Sequence, residues 1–265
     1  MNIKINGFGI DYMLEGPRTG MPVVFIHAFP MSKEMWRPQV DELKKKYCVL
    51  SYDVRGHGGS EVGNGQYTIE YCVDDLIGLL DYLKFQQVVV VGLSMGGYIA
   101  LRAIERNPDR FRGAVLCDTR SEADSNETKI KRATDAKTVK LQGMRKFAEY
   151  FLPKVFHEDT LKTQLKIVKH AKSIMENNSP IGIAGMLIAL AARTDTTSLL
   201  QKMKIPTLLL VGQLDELTPP SLLTSLQEKI PGATMHTIPN AAHFCNLENP
   251  AEFNSQLVQF LEKIS

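Results

Sequence analysis

The chain has 265 residues, 44% of them hydrophobic, enough to bury the core of one large α/β domain or of one domain carrying an insertion. A formal net charge of only +2, from 31 basic and 29 acidic residues interspersed along the chain, argues against a nucleic-acid partner and a polybasic membrane anchor. Cys48, Cys72, Cys117 and Cys245 lack C-x-x-C spacing and read as reduced packing thiols, so neither a disulfide framework nor a metal site is expected.

Residues 2–6 and 9–15 alternate like two strands about Gly7-Phe8-Gly9, which predicts an antiparallel hairpin closed by Gly16-Pro17-Arg18-Thr19-Gly20. This start lacks the apolar core of a signal peptide and no later stretch spans a bilayer, so a cytoplasmic protein without membrane partner is expected. Strands then alternate with helices: Val23 to His27, a helix near Lys33 to Lys45, Cys48 to Asp53, a helix from Thr68 to Leu83, and the strand Val88 to Val91. That rhythm predicts a parallel sheet with crossover helices. After the strand Phe111 to Cys117 the rhythm stops. Residues 119–202 show only helical segments around Ala133–Ala136, Gly143–Phe151, Asp159–Lys172 and Ile181–Ala192, punctuated by Pro153 and Pro180. They read as a helical cap inserted into a core made of residues 1–118 and 203–265. Strands from Ile205 to Gly212 and Thr234 to Ile238, with helices after Pro219-Pro220 and from Pro250 to Ile264, complete the core.

The stretch most informative about chemistry is Gly92-Leu93-Ser94-Met95-Gly96-Gly97, which joins a strand of four valines to a helix. G-x-S-x-G in that context is a nucleophile elbow: the serine sits on a strained turn with its hydroxyl above the sheet, and the following amide faces a developing oxyanion. A serine hydroxyl is a weak nucleophile at neutral pH and needs a base, oriented in turn by a carboxylate. With such an elbow the chain order is serine, acid, histidine. Of six histidines, His243 alone lies in a loop after the last strand, in Pro239-Asn240-Ala241-Ala242-His243-Phe244, and is the expected base. Asp215, a few residues beyond a buried strand, is the expected acid, with Asp118 as the alternative. The second oxyanion donor is expected from His27-Ala28-Phe29-Pro30, at the amide of Phe29, because Pro30 has none; Met95 supplies the first. His27, Asp53, Arg55 and His57 read as a polar network bracing loops.

Val24-Phe25-Ile26-His27-Ala28-Phe29-Pro30, Tyr52-Asp53-Val54-Arg55-Gly56-His57-Gly58-Gly59-Ser60, the Ser94 elbow, Gly212-Gln213-Leu214-Asp215 and Ala241-Ala242-His243 together resemble the α/β-hydrolase superfamily. Within it the chain looks most like small bacterial carboxylesterases, enol-lactonases and cofactor-free haloperoxidases. That resemblance implies an α/β fold with a mostly parallel eight-stranded sheet, helices on both faces and a helical cap. Ala28 departs from the family's H-G-x-P loop, and serine at the elbow sets the chain apart from relatives with aspartate there.

The expected activity is serine-dependent hydrolysis of small to medium, fairly apolar esters without a cofactor, by a monomer or homodimer. The pocket is expected to use Trp36, Leu141, Met144, Phe147 and Met186. Arg120 and Arg193 offer an alternative, recognition of a carboxylate-bearing substrate such as a lactone acid. Enol-lactone hydrolysis, perhydrolysis and a hydrolase-like ligand-binding role are the competing readings.

Overall fold

A computed structural model describes all residues, 1–265. In chain order the core opens with strands β1 (Asn2–Ile5), β2 (Phe8–Glu15) and β3 (Pro22–Ile26), a 3-10 turn (Lys33–Trp36) and helix α1 (Arg37–Leu43). It continues through β4 (Cys48–Tyr52), α2 (Ile69–Tyr82), β5 (Val88–Leu93), α3 (Met95–Arg106) and β6 (Phe111–Cys117). Five helices follow: α4 (Asn126–Val155), α5 (Glu158–Thr163), α6 (Leu165–Glu176), α7 (Pro180–Ala191) and α8 (Thr197–Leu200). The chain closes with β7 (Thr207–Gly212), α9 (Pro220–Lys229), β8 (Thr234–Ile238), α10 (Cys245–Glu248) and α11 (Pro250–Lys263).

The eight strands form one sheet in the order β1-β2-β4-β3-β5-β6-β7-β8, antiparallel only where β2 meets β1 and β4. The valine run explains itself by its neighbours. Val88 and Val90 enter the apolar core under α2 and α3, whereas Val89 and Val91 enter the core under α1 and α11. A strand covered on both faces has no polar side to present, hence its unbroken apolar sequence. The nucleophile position therefore tops the middle of the sheet.

The segments expected between β6 and β7 are helical, the one from Asp159 to Lys172 being divided between α5 and α6. α4 runs from a Ser125 cap to Val155, and its two halves correspond to the segments expected around Ala133–Ala136 and Gly143–Phe151. Gly143, at φ 78 and ψ 173, is not helical and divides α4 into two helices across a kink, one ending before it and one following it, and Pro153 falls within the last turn of the second. No helix is long and apolar enough to cross a membrane.

Candidate active site

Ser94 is the single residue between β5 and α3, and its backbone takes φ 53 and ψ −111, a left-handed conformation costly for a residue with a Cβ. Several bonds hold it there. Its N–H donates to the Cys117 carbonyl at 2.8 Å, and its own carbonyl accepts from Gly97 N–H, Tyr98 N–H and the Thr119 hydroxyl. The flanking glycines serve close approach: a Cβ on Gly92 would lie 2.3 Å from the Gly96 carbonyl oxygen, and one on Gly96 would lie 2.1 Å from that of Ile26. The positive φ belongs to the serine alone.

Asp215 follows β7 and His243 follows β8, so adjacent parallel strands deliver both to the same edge of the sheet. Asp215 Oδ2 lies 2.8 Å from His243 Nδ1, and both side chains are buried. The Leu217 and Thr218 amides donate to Oδ1 at 2.8 and 3.0 Å, and the Thr218 hydroxyl donates to Oδ2 at 2.6 Å. Burial alone would raise this carboxyl, but the His243 imidazole and the Thr218 donors outweigh it and hold Asp215 well below the ordinary range. The loop carrying His243 is tied down by Glu248, whose carboxylate accepts the Ala242 N–H at 2.8 Å and, from the helices after β6, the Thr160 hydroxyl at 2.6 Å.

Asp118, the alternative acid, lies close by: ligating atoms of Asp118, Asp215 and His243 fall within 4.8 Å of one another. Its oxygens are engaged elsewhere, accepting the Gly212 N–H at 2.8 Å and the Cys245 thiol at 2.8 Å, so it makes no hydrogen bond to the imidazole. Burial and the neighbouring charge of Asp215 push Asp118 well above the usual carboxylate range. These three side chains are the one cluster with metal-ligating composition; within it Asp215 is bonded to His243, while Asp118 is bonded to the Gly212 amide and the Cys245 thiol.

His27 is buried with Nδ1 donating to the Ala28 carbonyl and Nε2 accepting the Val54 N–H. Asp53 accepts from the Lys33 amide, the Lys33 ammonium and the Gly59 amide, and Arg55 pairs through two nitrogens with Asp75. These groups brace the loops after β3 and β4. The Phe29 and Met95 N–H groups, which those loops and the elbow present, donate to no backbone or side-chain acceptor.

Ser94, His243, Phe29 and Met95 line a common cavity of about 360 Å³. Of the expected pocket residues, Phe147 lines it, joined by Phe151, Leu187 and Leu190. The others do not. Trp36 lies fully buried beneath the opposite face of the sheet, between Phe25 and Phe253. Leu141 faces solvent at 74% exposure, ahead of the bend at Gly143, and Met144 and Met186 are consumed in the core shared by α4 and α7. Arg120 reaches the cavity wall, whereas Arg193 is buried behind it, paired with Asp124 and stacked on Tyr98. The sequence reading missed Thr218 and Glu248. Thr218 was signalled by Asp215-Glu216-Leu217-Thr218-Pro219, an acidic residue whose side chain caps the amides two and three residues on.

A family model described as alpha/beta hydrolase fold matches residues 21–250. The chain is similar to a thermophilic esterase from Thermogutta terrifontis, solved with malate bound, at 34% identity and a TM-score of 0.96 over 100% of this chain and 99% of that one. It is 27% identical to 3-oxoadipate enol-lactonase 2 of Acinetobacter baylyi over 97% of this chain and 94% of the relative. A bromoperoxidase from Bacillus anthracis matches at 29% identity and a TM-score of 0.88, covering 99% of each chain. Matched over most of its length, this chain is a hydrolase of the alpha/beta hydrolase fold family.

Proposed function

We propose that the protein hydrolyses carboxylic esters through an acyl-enzyme on Ser94. The observation that carries this reading is the Asp215–His243 pair, joined at 2.8 Å and facing the cavity that the strained Ser94 also lines. With Nδ1 donating to Asp215, His243 keeps Nε2 free to accept the Ser94 proton as Oγ attacks the ester carbonyl. The negative oxygen of the tetrahedral adduct is received by the amides of Phe29 and Met95, each lacking a protein acceptor. Proton return from His243 to the leaving alkoxide releases the alcohol. A water, deprotonated by the same imidazole, then attacks the acyl carbonyl, and the acid leaves as the proton returns to Ser94. Residues 119–202 act as the cap that shields these steps from solvent.

The same steps open a lactone, a cyclic ester, and the enol-lactonase relative favours testing one beside open-chain esters. The test is p-nitrophenyl ester turnover by Ser94→Ala, expected to fall by about a millionfold in kcat with folding intact. Labelling of wild-type Ser94 by a phosphonate, read by peptide mass, is the companion measurement. Undiminished turnover in a folded Ser94→Ala variant would remove the proposal.

A further inference from the structure

The wall of the cavity above Ser94 carries four cations, Arg120, Lys131, Arg132 and Lys154, against one carboxylate, Asp135. Following each charge to its partner leaves an imbalance. Lys131 pairs with Asp135 at 2.5 Å, and Arg132 donates to Asp124 at 2.5 Å. Asp124 is already held by the buried Arg193 at 2.6 Å, so Arg120 reaches it only at 3.4 Å, and Arg120 Nε is buried without an acceptor. Lys154 has no carboxylate within salt-bridge distance, and its ammonium lies 3.4 Å from the centre of the Tyr150 ring. Two cations, one from the segment after β6 and one from the last turn of α4, thus line the reaction chamber without a full counter-charge.

An apolar ester gains nothing from this arrangement and has to cover the cations at a desolvation cost. A substrate with an anionic end supplies the missing counter-charge. The aromatic and aliphatic wall of Phe147, Phe151, Leu187 and Leu190 fits the methylene chain between that end and the ester. The wider charge distribution points the same way. Residues 119–202 carry 15 Lys and Arg against 9 Asp and Glu, whereas the rest of the chain carries 16 against 20. The near-neutral total therefore hides a positive field over the chamber, of the kind that raises encounter rates for anions.

We infer that the protein prefers esters bearing a free carboxylate, such as hemiesters of aliphatic dicarboxylic acids, with Arg120 and Lys154 receiving that carboxylate. This rests on the ester-hydrolase reading of Ser94 and replaces the fairly apolar substrate expected from sequence.

The test compares monoethyl adipate with ethyl hexanoate, which match in length and differ in the terminal carboxylate, by pH-stat. Wild type should favour the hemiester at least tenfold in kcat/KM, and added salt should erode that preference. Lys154→Met and Arg120→Met should each lower the hemiester-to-neutral ratio about tenfold. Equal or better use of ethyl hexanoate, or a ratio untouched in both variants, would overturn the inference while leaving ester hydrolysis intact. If neither ester is cleaved, the failure belongs to the Ser94 reading, and calorimetry with adipate decides this one. Adipate binding weakened in the two variants supports it, and no binding to wild type overturns it.

Discussion

Asp118 and Asp215 show how two identical side chains a few ångströms apart are shifted in opposite directions. Both are buried, and two carboxylates in one dry site cannot both ionise cheaply. Asp215 faces the imidazole and the donors of residues 217 and 218, which favour its charged form; Asp118 lies fully buried beside that charge, and burial and the charge push its carboxyl upward. Asp215→Asn should accordingly lower kcat about ten-thousandfold, as expected when the imidazole loses its orienting carboxylate. Asp118→Asn should stay within a few-fold of wild type in kcat/KM, since an amide keeps an acceptor for the Gly212 N–H without adding charge. Asp118→Leu should lose about 1–3 kcal/mol in urea unfolding, because the Gly212 amide is left unpaired. A large kcat loss in Asp118→Asn would show instead that Asp118 acts as an anion. Asp215 and His243 were legible because each follows a recognisable strand at short range. The surroundings of Asp118 were not, since nothing within the segment around it reveals that the Gly212 amide and Cys245 close around it.

At the scale of elements, glycines divide into those that permit contact and those that permit a bend. Gly96→Ala would push a Cβ to 2.1 Å from the Ile26 carbonyl oxygen, driving α3 off β3 at the nucleophile itself. A Cβ on Gly143 meets nothing within 4 Å, but φ 78 strains any other residue by about 1–2 kcal/mol. Gly96→Ala should therefore abolish activity even where it folds. Gly143→Ala should lower stability by about 1–2 kcal/mol and alter KM more than kcat, because the bend places Phe147 and Phe151 in the cavity wall. Unchanged turnover and unfolding in Gly96→Ala would contradict this account of the elbow. The hairpin, the alternating strands and the elbow were readable because period and glycine placement are local signals. The place of Pro153 inside the last turn of α4 was not, because a proline resembles a helix end when no neighbour is visible. Trp36 was misplaced for a related reason: a residue in a short 3-10 turn carries no periodicity, and its sheet face is set by Phe25 and Phe253.

Over the whole molecule, the buried loop histidines tie stability to pH. His27 and His57 stand with ring centres 5.0 Å apart beneath the cavity, and Nε2 of His27 accepts the Val54 amide, a bond that a proton there would break. Burial pushes His27 down to about 4; burial and the neighbouring His27 push His57 down to about 3. In the unfolded chain both titrate near 6.5. Below that pH the unfolded chain binds protons that the folded chain refuses, so folding stability is full above about 6.5 and declines as pH falls toward about 4. One histidine shifted from 6.5 to about 4 corresponds to about 3 kcal/mol, a large share of the stability of an ordinary domain. Urea unfolding at stepped pH should show this decline above the range where carboxylates protonate, and His57→Gln should flatten it by removing one of the two groups. A wild-type unfolding free energy that stays level from pH 7 to pH 5 would mean that these rings take up protons without opening the loops they brace.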